Sequence, residues 1–288
     1  LRRFITFVLL SLTVCAAELP DIRTVDKDLS VPMMTTDAPA AGRRVRMTLP
    51  SYRSTEVYHA LYLPTDWEAG KRFPVIVEYA GNGSYSNRFG DVCDGKVESC
   101  KLGYGASGGK GFIWVCARYI SSDHLRNQLQ WWGDVEATVG YCTGVVNQIC
   151  SSYGGDSSAV FIAGFSRGSL ACNYIGLHND VIAGLWRGFI CHSHYDGVRE
   201  WGYAASDPVS AAARLARLKE RPQFISHEGS VAETRAYLTK ACPKGRFTFV
   251  PIPYRNHTDQ WILRDISERA ALRAWLLATL SPQAGTGP

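Results

Sequence analysis

The chain has 288 residues, 46% of them hydrophobic and 20% charged, enough for a single α/β domain with an ample core. Its formal charge of +5 is spread over scattered basic side chains with no long run. No nucleic-acid or membrane-surface partner is therefore expected.

The chain opens with Leu1-Arg2-Arg3, an apolar stretch from Phe4 to Val14, and Cys15-Ala16-Ala17, which are the basic, apolar and small-residue parts of an export signal. Cleavage is expected after Ala17, giving a secreted or periplasmic protein; a lipid anchor through Cys15 is the alternative. The apolar stretch falls short of the ~20 residues that span a bilayer, and no other segment approaches that length, so no membrane span is expected. Losing Arg2 and Arg3 lowers the basic count from 31 to 29 against 26 acidic side chains. Residues 18–44 lack periodicity and read as a surface-hugging or disordered lead-in. The α/β domain is expected over 45–280, with a disordered tail at 281–288.

Within that domain, β-type runs recur at Val45–Leu49, Val57–Leu63, Phe73–Tyr79, Phe112–Ala117, Ala159–Gly164, Trp186–Cys191, Gln223–Ser226 and Phe247–Pro251. Helical patterns separate the later runs. From Asp134 to Tyr153 the apolar residues Val135, Val139, Cys142, Val146, Ile149 and Tyr153 form one stripe, and Gly154-Gly155 ends it. Further helices are expected at Pro208–Leu218, Val231–Lys240 and Asp259–Leu280. Early strands joined by turns, followed by strands alternating with helices, predict a mostly parallel eight-stranded sheet with helices on both faces. The stretch Gly81–Gly111 holds nine glycines and no helical period, making it the longest irregular segment expected inside the domain.

The run Gly164-Phe165-Ser166-Arg167-Gly168 closes an apolar strand and opens a helical segment reaching about His178. A Gly-x-Ser-x-Gly match in that setting reads as a nucleophile elbow, with Ser166 on a sharp turn and glycines where strand and helix pack closely. A serine hydroxyl needs a histidine to take its proton and a carboxylate to orient that histidine, here in the order serine, acid, histidine. His257, in a polar turn between the last strand and the last helix, is the base expected. His192 and His194 read as wall or core residues, and His227 as a neighbour of the acid. Two carboxylates follow strands in the right interval: Glu228, which is preferred, and Asp196, whose Asp-Gly pair also suits a plain turn. The oxyanion donors expected are the backbone N–H groups of Arg167 and of Asn82, the latter flanked by Gly81 and Gly83. Trp131, Trp132, Tyr85 and Tyr104 are candidates for an apolar acyl or aryl pocket, or ordinary core and surface aromatics.

Without Cys15, eight cysteines remain: Cys93, Cys100, Cys116, Cys142, Cys150, Cys172, Cys191 and Cys242. Cys93 and Cys100 are the favoured disulfide, because their loop can bend until the Cα atoms lie roughly 4.4–6.8 Å apart. Cys142 and Cys150 on one helix are about 12 Å apart and cannot pair. Cys172 and Cys191 read as buried thiols. No Cys-x-x-Cys pattern suggests zinc, and neither metal nor organic cofactor is expected.

From Val45 to Leu280 the chain resembles the α/β-hydrolase superfamily. Tyr153-Gly154-Gly155-Asp156 leading into Val160-Phe161-Ile162-Ala163-Gly164-Phe165-Ser166-Arg167-Gly168 is similar to secreted serine esterases of the feruloyl-esterase and polyhydroxybutyrate-depolymerase type. The resemblance implies a serine hydrolase cleaving a small-molecule or polysaccharide-linked carboxylic ester through an acyl-enzyme. It assigns Ser166 as nucleophile, His257 as base, Glu228 as acid, and Arg167 with Asn82 as oxyanion donors. Where that family has His-Gly after the third strand this chain has Ala80-Gly81, and the Gly-rich loop replaces the usual helix. A prolyl-oligopeptidase-like peptidase and a non-catalytic binding protein on the same fold are the alternatives.

Overall fold

The computed structural model describes residues 18–281. The expected signal at 1–17 and residues 282–288 of the tail lie outside the described residues. In chain order the elements are β1 (Met34–Thr35), β2 (Arg44–Met47), β3 (His59–Tyr62), β4 (Phe73–Tyr79), β5 (Tyr85–Ser86), β6 (Val92–Cys93), α1 (Leu102–Ser107), β7 (Ile113–Ala117), α2 (Val135–Ser152), β8 (Gly155–Phe165) and α3 (Arg167–Tyr174). There follow α4 (Asp180–Ala183), β9 (Gly188–His192), α5 (Pro208–Leu215), β10 (Gln223–Glu228), α6 (Ala232–Ala241), β11 (Phe247–Ile252) and α7 (Ser267–Leu280).

The main sheet has nine strands in the order β1-β2-β3-β7-β4-β8-β9-β10-β11. Only the β2–β3 and β3–β7 pairs are antiparallel. All eight strands read from the sequence are present; the ninth is the two-residue β1, supplied by the segment before Val45. Alternation along the central strands divides the core. On β4 and β8, Val75, Val77, Val160 and Ile162 face a cluster built with α2, α3 and α5, while Ile76, Phe161 and Ala163 face one built with α1 and α7. Helices therefore cover both faces, and burial on both sides is what makes these strands read as continuous apolar runs.

Residues 18–44 are tied to the molecule by particular contacts. Ile22 is 1% exposed and donates its N–H to Asn256 Oδ1 at 2.8 Å. Arg269 holds the Asp28 carboxylate through two bonds of 2.6 Å.

The Gly81–Gly111 stretch departs from the sequence reading, because it contains the hairpin β5–β6 and the short helix α1. The cause is tertiary. Glu78, buried on β4, accepts the N–H groups of Lys101, Leu102 and Gly103 at 3.0, 3.1 and 2.8 Å, so its carboxylate caps α1 from 23 to 25 residues away. Gly103 and Gly105 let α1 lie against Trp114 and Ile262, where a Cβ would collide. The last expected helix is also divided, into a 3-10 turn at Gln260–Leu263 and α7. All eight described cysteines are free, so the Cys93–Cys100 bond expected from the sequence is absent. Cys100 instead lies beside the Cys116 thiol, which together with burial pushes its own thiol upward. Among the described residues no helix is long and apolar enough to cross a membrane.

Candidate active site

Every loop that reaches the site leaves the carboxyl end of a parallel strand, where open α/β sheets hold their ligands. Gly164 on β8 lies opposite Tyr79 on β4 and Cys191 on β9, so the elbow emerges between the loops that follow those strands. Ser166 takes φ 55° and ψ −116°, a strained setting for a residue with a side chain. Its N–H donates to the His192 carbonyl at 3.0 Å. A Cβ on Gly164 would enter the backbone of Gly168, and one on Gly168 would enter the Tyr79 carbonyl. Hydrogen is the only side chain that fits at either place.

The strand ends bring Ser166, His257 and Glu228 into one hydrogen-bonded line. Ser166 Oγ is 3.0 Å from His257 Nε2, and His257 Nδ1 is 2.5 Å from Glu228 Oε1. Glu228 ends β10 in register with Ile252 on β11, the strand whose following loop carries His257. Burial drives the Glu228 carboxyl upward, but its hydrogen bond to His257 and the nearby charges of His257, His192 and His227 outweigh that and hold it well below the usual carboxylate range. Asp196 is elsewhere. Its carboxylate accepts Arg214 Nε at 2.9 Å and Nη2 at 3.0 Å in a buried ion pair, with Tyr203 Oη at 3.4 Å.

Several residues that hold this line carry no sequence signal. Ser193, 3% exposed and at φ 83°, donates its hydroxyl to Glu228 Oε1 at 3.1 Å and lies 3.0 Å from His257 Nδ1. Asp91, in the Gly-rich stretch, accepts the His257 N–H at 3.0 Å and Asn256 Nδ2 at 2.9 Å, fixing the loop that presents the imidazole. Of the other histidines, His192 is buried between Ser226 Oγ and the Thr258 carbonyl, and burial takes it down to about 4. His194 lies against His257 with ring centroids 4.9 Å apart; burial, then the His257 charge, lowers it to about 3, so it packs as a neutral ring. His227 Nδ1 is 3.6 Å from Glu228 Oε2.

The loop after β4 reaches the elbow from the opposite side. Asn82 Oδ1 accepts the Trp131 N–H at 2.8 Å, while the Arg167 guanidinium donates to the carbonyls of Trp131 and Gly81 at 2.7 and 2.8 Å. The first N–H groups of α3, beginning with Arg167, have no acceptor within the helix and sit beside Ser166. Four rings run in sequence away from His257: His257 to His194 at 4.9 Å, His194 to Trp201 at 4.4 Å, and Trp201 to Trp131 at 6.4 Å. Tyr85 meets the His257 ring edge-on at 4.9 Å. Trp132 is buried against Tyr174, and Tyr104 packs on Tyr62 and Trp114 as a core aromatic.

No family model matches the chain, and no curated protein matches it in sequence. Solved structures do. An S-formylglutathione hydrolase from Agrobacterium tumefaciens superposes with a TM-score of 0.56 at 14% identity, over 85% of this chain and 98% of its own. A thermostable esterase superposes with a TM-score of 0.51 at 13% identity, over 82% of this chain. A putative dipeptidyl aminopeptidase IV from Bacteroides ovatus gives 0.52 at 13% identity, also over 82% of this chain. The fold is that of the α/β-hydrolases. The chain spans 62% of the thermostable esterase and 35% of the aminopeptidase, so what it shares with them is one hydrolase-fold unit. That unit places a serine, a histidine and a glutamate in hydrogen-bonded order at the elbow of the sheet.

Proposed function

We propose that the chain is a serine carboxylic-ester hydrolase acting through an acyl-enzyme. The observation that carries this reading is the unbroken line from Ser166 Oγ through His257 to Glu228 at the carboxyl edge of the sheet. Ser166 attacks the ester carbonyl while His257 Nε2 takes its proton, and Glu228 holds His257 in the tautomer with hydrogen on Nδ1. The tetrahedral oxyanion is received by the backbone N–H groups of Arg167 and Asn82. Collapse expels the alcohol, protonated by His257, and water then repeats the cycle on the acyl-enzyme. The aromatic run supports a ring-bearing or apolar group on the substrate, with Trp131 and Tyr85 as its walls.

A fluorophosphonate probe tests the nucleophile directly. Wild type is expected to label at Ser166, and Ser166→Ala to lose both labelling and turnover of a small chromogenic ester. Faster cleavage of a proline-containing peptide anilide than of the ester would replace this reading by the peptidase one. An unlabelled, inactive wild type would leave a binding protein. Export is part of the proposal, on the pattern of residues 1–17, and mature protein beginning at Glu18 is the expected N-terminus.

A further inference from the structure

Arg167 is 1% exposed, yet among the described residues no carboxylate lies within ion-pair distance of its guanidinium. Its Nε has no hydrogen-bond partner, its other nitrogens donate to two backbone carbonyls, and its charge lies over the Tyr119 ring at 4.0 Å. Arg214 and Arg269 each hold a carboxylate, whereas Arg44, Arg118 and Arg264, like Arg167, are buried on backbone carbonyls; Arg167 differs from these three in that the carbonyls it binds lie in the loops beside the elbow. A buried cation without a counter-ion is costly, and as a simple anchor it would be better replaced by a neutral side chain. Burial accordingly lowers Arg167 to about 10.

The partners explain its retention. The Gly81 carbonyl and the Asn82 N–H belong to one trans peptide unit, so they point in opposite directions. Drawing the carbonyl onto the guanidinium turns the Asn82 N–H the other way and polarises it as a donor. The Asn82 side chain in turn holds the Trp131 N–H, whose own carbonyl returns to Arg167, closing a ring of three contacts. Tyr119, beneath the guanidinium, donates its hydroxyl to the Ala80 carbonyl at 3.2 Å and fixes the preceding peptide.

We propose that the Arg167 side chain is a positioning residue for the oxyanion site: one guanidinium sets the second oxyanion donor, at Asn82, in register with the first, its own backbone N–H. This rests on the ester-hydrolase reading and adds to it a role for the side chain that the elbow motif does not specify. Because Met and Lys at position 167 keep its backbone N–H, these side-chain variants leave the first donor in place and read only the second.

The test is kinetic. Arg167→Met keeps the aliphatic stem without charge or fork, and Arg167→Lys keeps the charge without the fork. With active sites counted by phosphonate titration, Arg167→Met is expected to lose about 10²–10³ in kcat, the usual loss for one oxyanion donor, with KM within about threefold. Affinity for an alkyl boronic acid, which forms a tetrahedral adduct on the serine, should fall by the same factor. Arg167→Lys is expected to lie between Arg167→Met and wild type in both. A merely structural role would lower the melting temperature and the titratable fraction while kcat per active site and boronate affinity stayed put, and that result overturns the proposal. So does a fall in kcat with unchanged boronate affinity. Should Arg167→Met fail to fold, Arg167→Lys decides alone, and wild-type kcat in it refutes the idea. A wild type that neither labels nor hydrolyses esters sinks the ester-hydrolase reading itself; wild-type activity with unaffected Arg167 variants sinks only this one.

Discussion

Replacing Ser193 by alanine removes a single oxygen and tests whether the acid of the proposed triad needs a second support. Glu228 Oε2 is buried without a hydrogen-bond partner, so its carboxylate is held chiefly at Oε1, by His257 Nδ1 at 2.5 Å and by the Ser193 hydroxyl at 3.1 Å. A hydrogen bond to a charged group is worth roughly 1.5–3 kcal/mol, and each ~1.4 kcal/mol is tenfold in rate. If the whole of that bond is present in the transition state, Ser193→Ala loses about 10- to 100-fold in kcat with KM little changed. Position 193 also sits at φ 83°, where alanine keeps the backbone strain and glycine relieves it. Ser193→Gly should therefore match Ser193→Ala in kcat while melting at a higher temperature. Steady-state rates on a chromogenic ester, with melting curves for both variants, separate the hydroxyl from the backbone. Wild-type kcat in Ser193→Ala would refute the reasoning, and full recovery of kcat in Ser193→Gly would show that conformation, not the hydroxyl, mattered.

The two carboxylates weighed from the sequence should part company on mutation. Glu228→Gln is expected to cost about 10³–10⁴ in kcat, as loss of the orienting charge does in other serine triads. Asp196→Asn, which breaks a buried pair with Arg214, should instead lower stability by about 3–5 kcal/mol with kcat within a few-fold of wild type. Measured kcat and denaturant midpoints for both variants check this, and the reverse pattern would transfer the acid's role to Asp196. Acid stability follows from three buried histidines, His59 at about 3, His192 at about 4 and His194 at about 3, all lowered chiefly by burial. The unfolded chain binds protons at these positions below its ordinary value of about 6.5 while the folded chain does not, so stability falls as pH drops from about 6.5 toward 4. Well inside that window three such groups give a slope near ~4 kcal/mol per pH unit, to be read from urea unfolding at successive pH values. A flat profile between pH 6 and 4 would contradict those burials. Finally, Gly168→Ala drives a Cβ into the Tyr79 carbonyl, so β4 and α3 must separate. Soluble, fully active Gly168→Ala protein would show that the elbow is looser than its backbone indicates.

What could be read before folding was whatever repeats or clusters locally. The strands from Val45 onward announce themselves because burial on both faces makes each a short apolar run, and the α2 stripe because one helix face meets the sheet. The turn around Ser166 is equally local: five residues carry both the nucleophile and the two glycines its packing demands. His257 and Glu228 emerge from chain order and from their places after strands. Helix α1 was illegible for the opposite reason, since Glu78, which caps it, lies on another strand, and its glycines serve contacts with Trp114 and Ile262.

The same distinction divides the site. The sequence by itself determined the sheet, the elbow and an order of serine, acid and histidine, because those depend on periodicity and on residues close together in the chain. Only the tertiary structure put Glu228 and not Asp196 on His257, by pairing Glu228 with Ile252 beside the strand that leads to His257 and by turning Asp196 onto Arg214. It alone joined Ser193 to Glu228 across 35 residues, Gly81 to Arg167 across 86 and Asp91 to His257 across 166. Hydrogen bonds of that kind are set by strand register and loop packing, and a linear pattern carries no record of either.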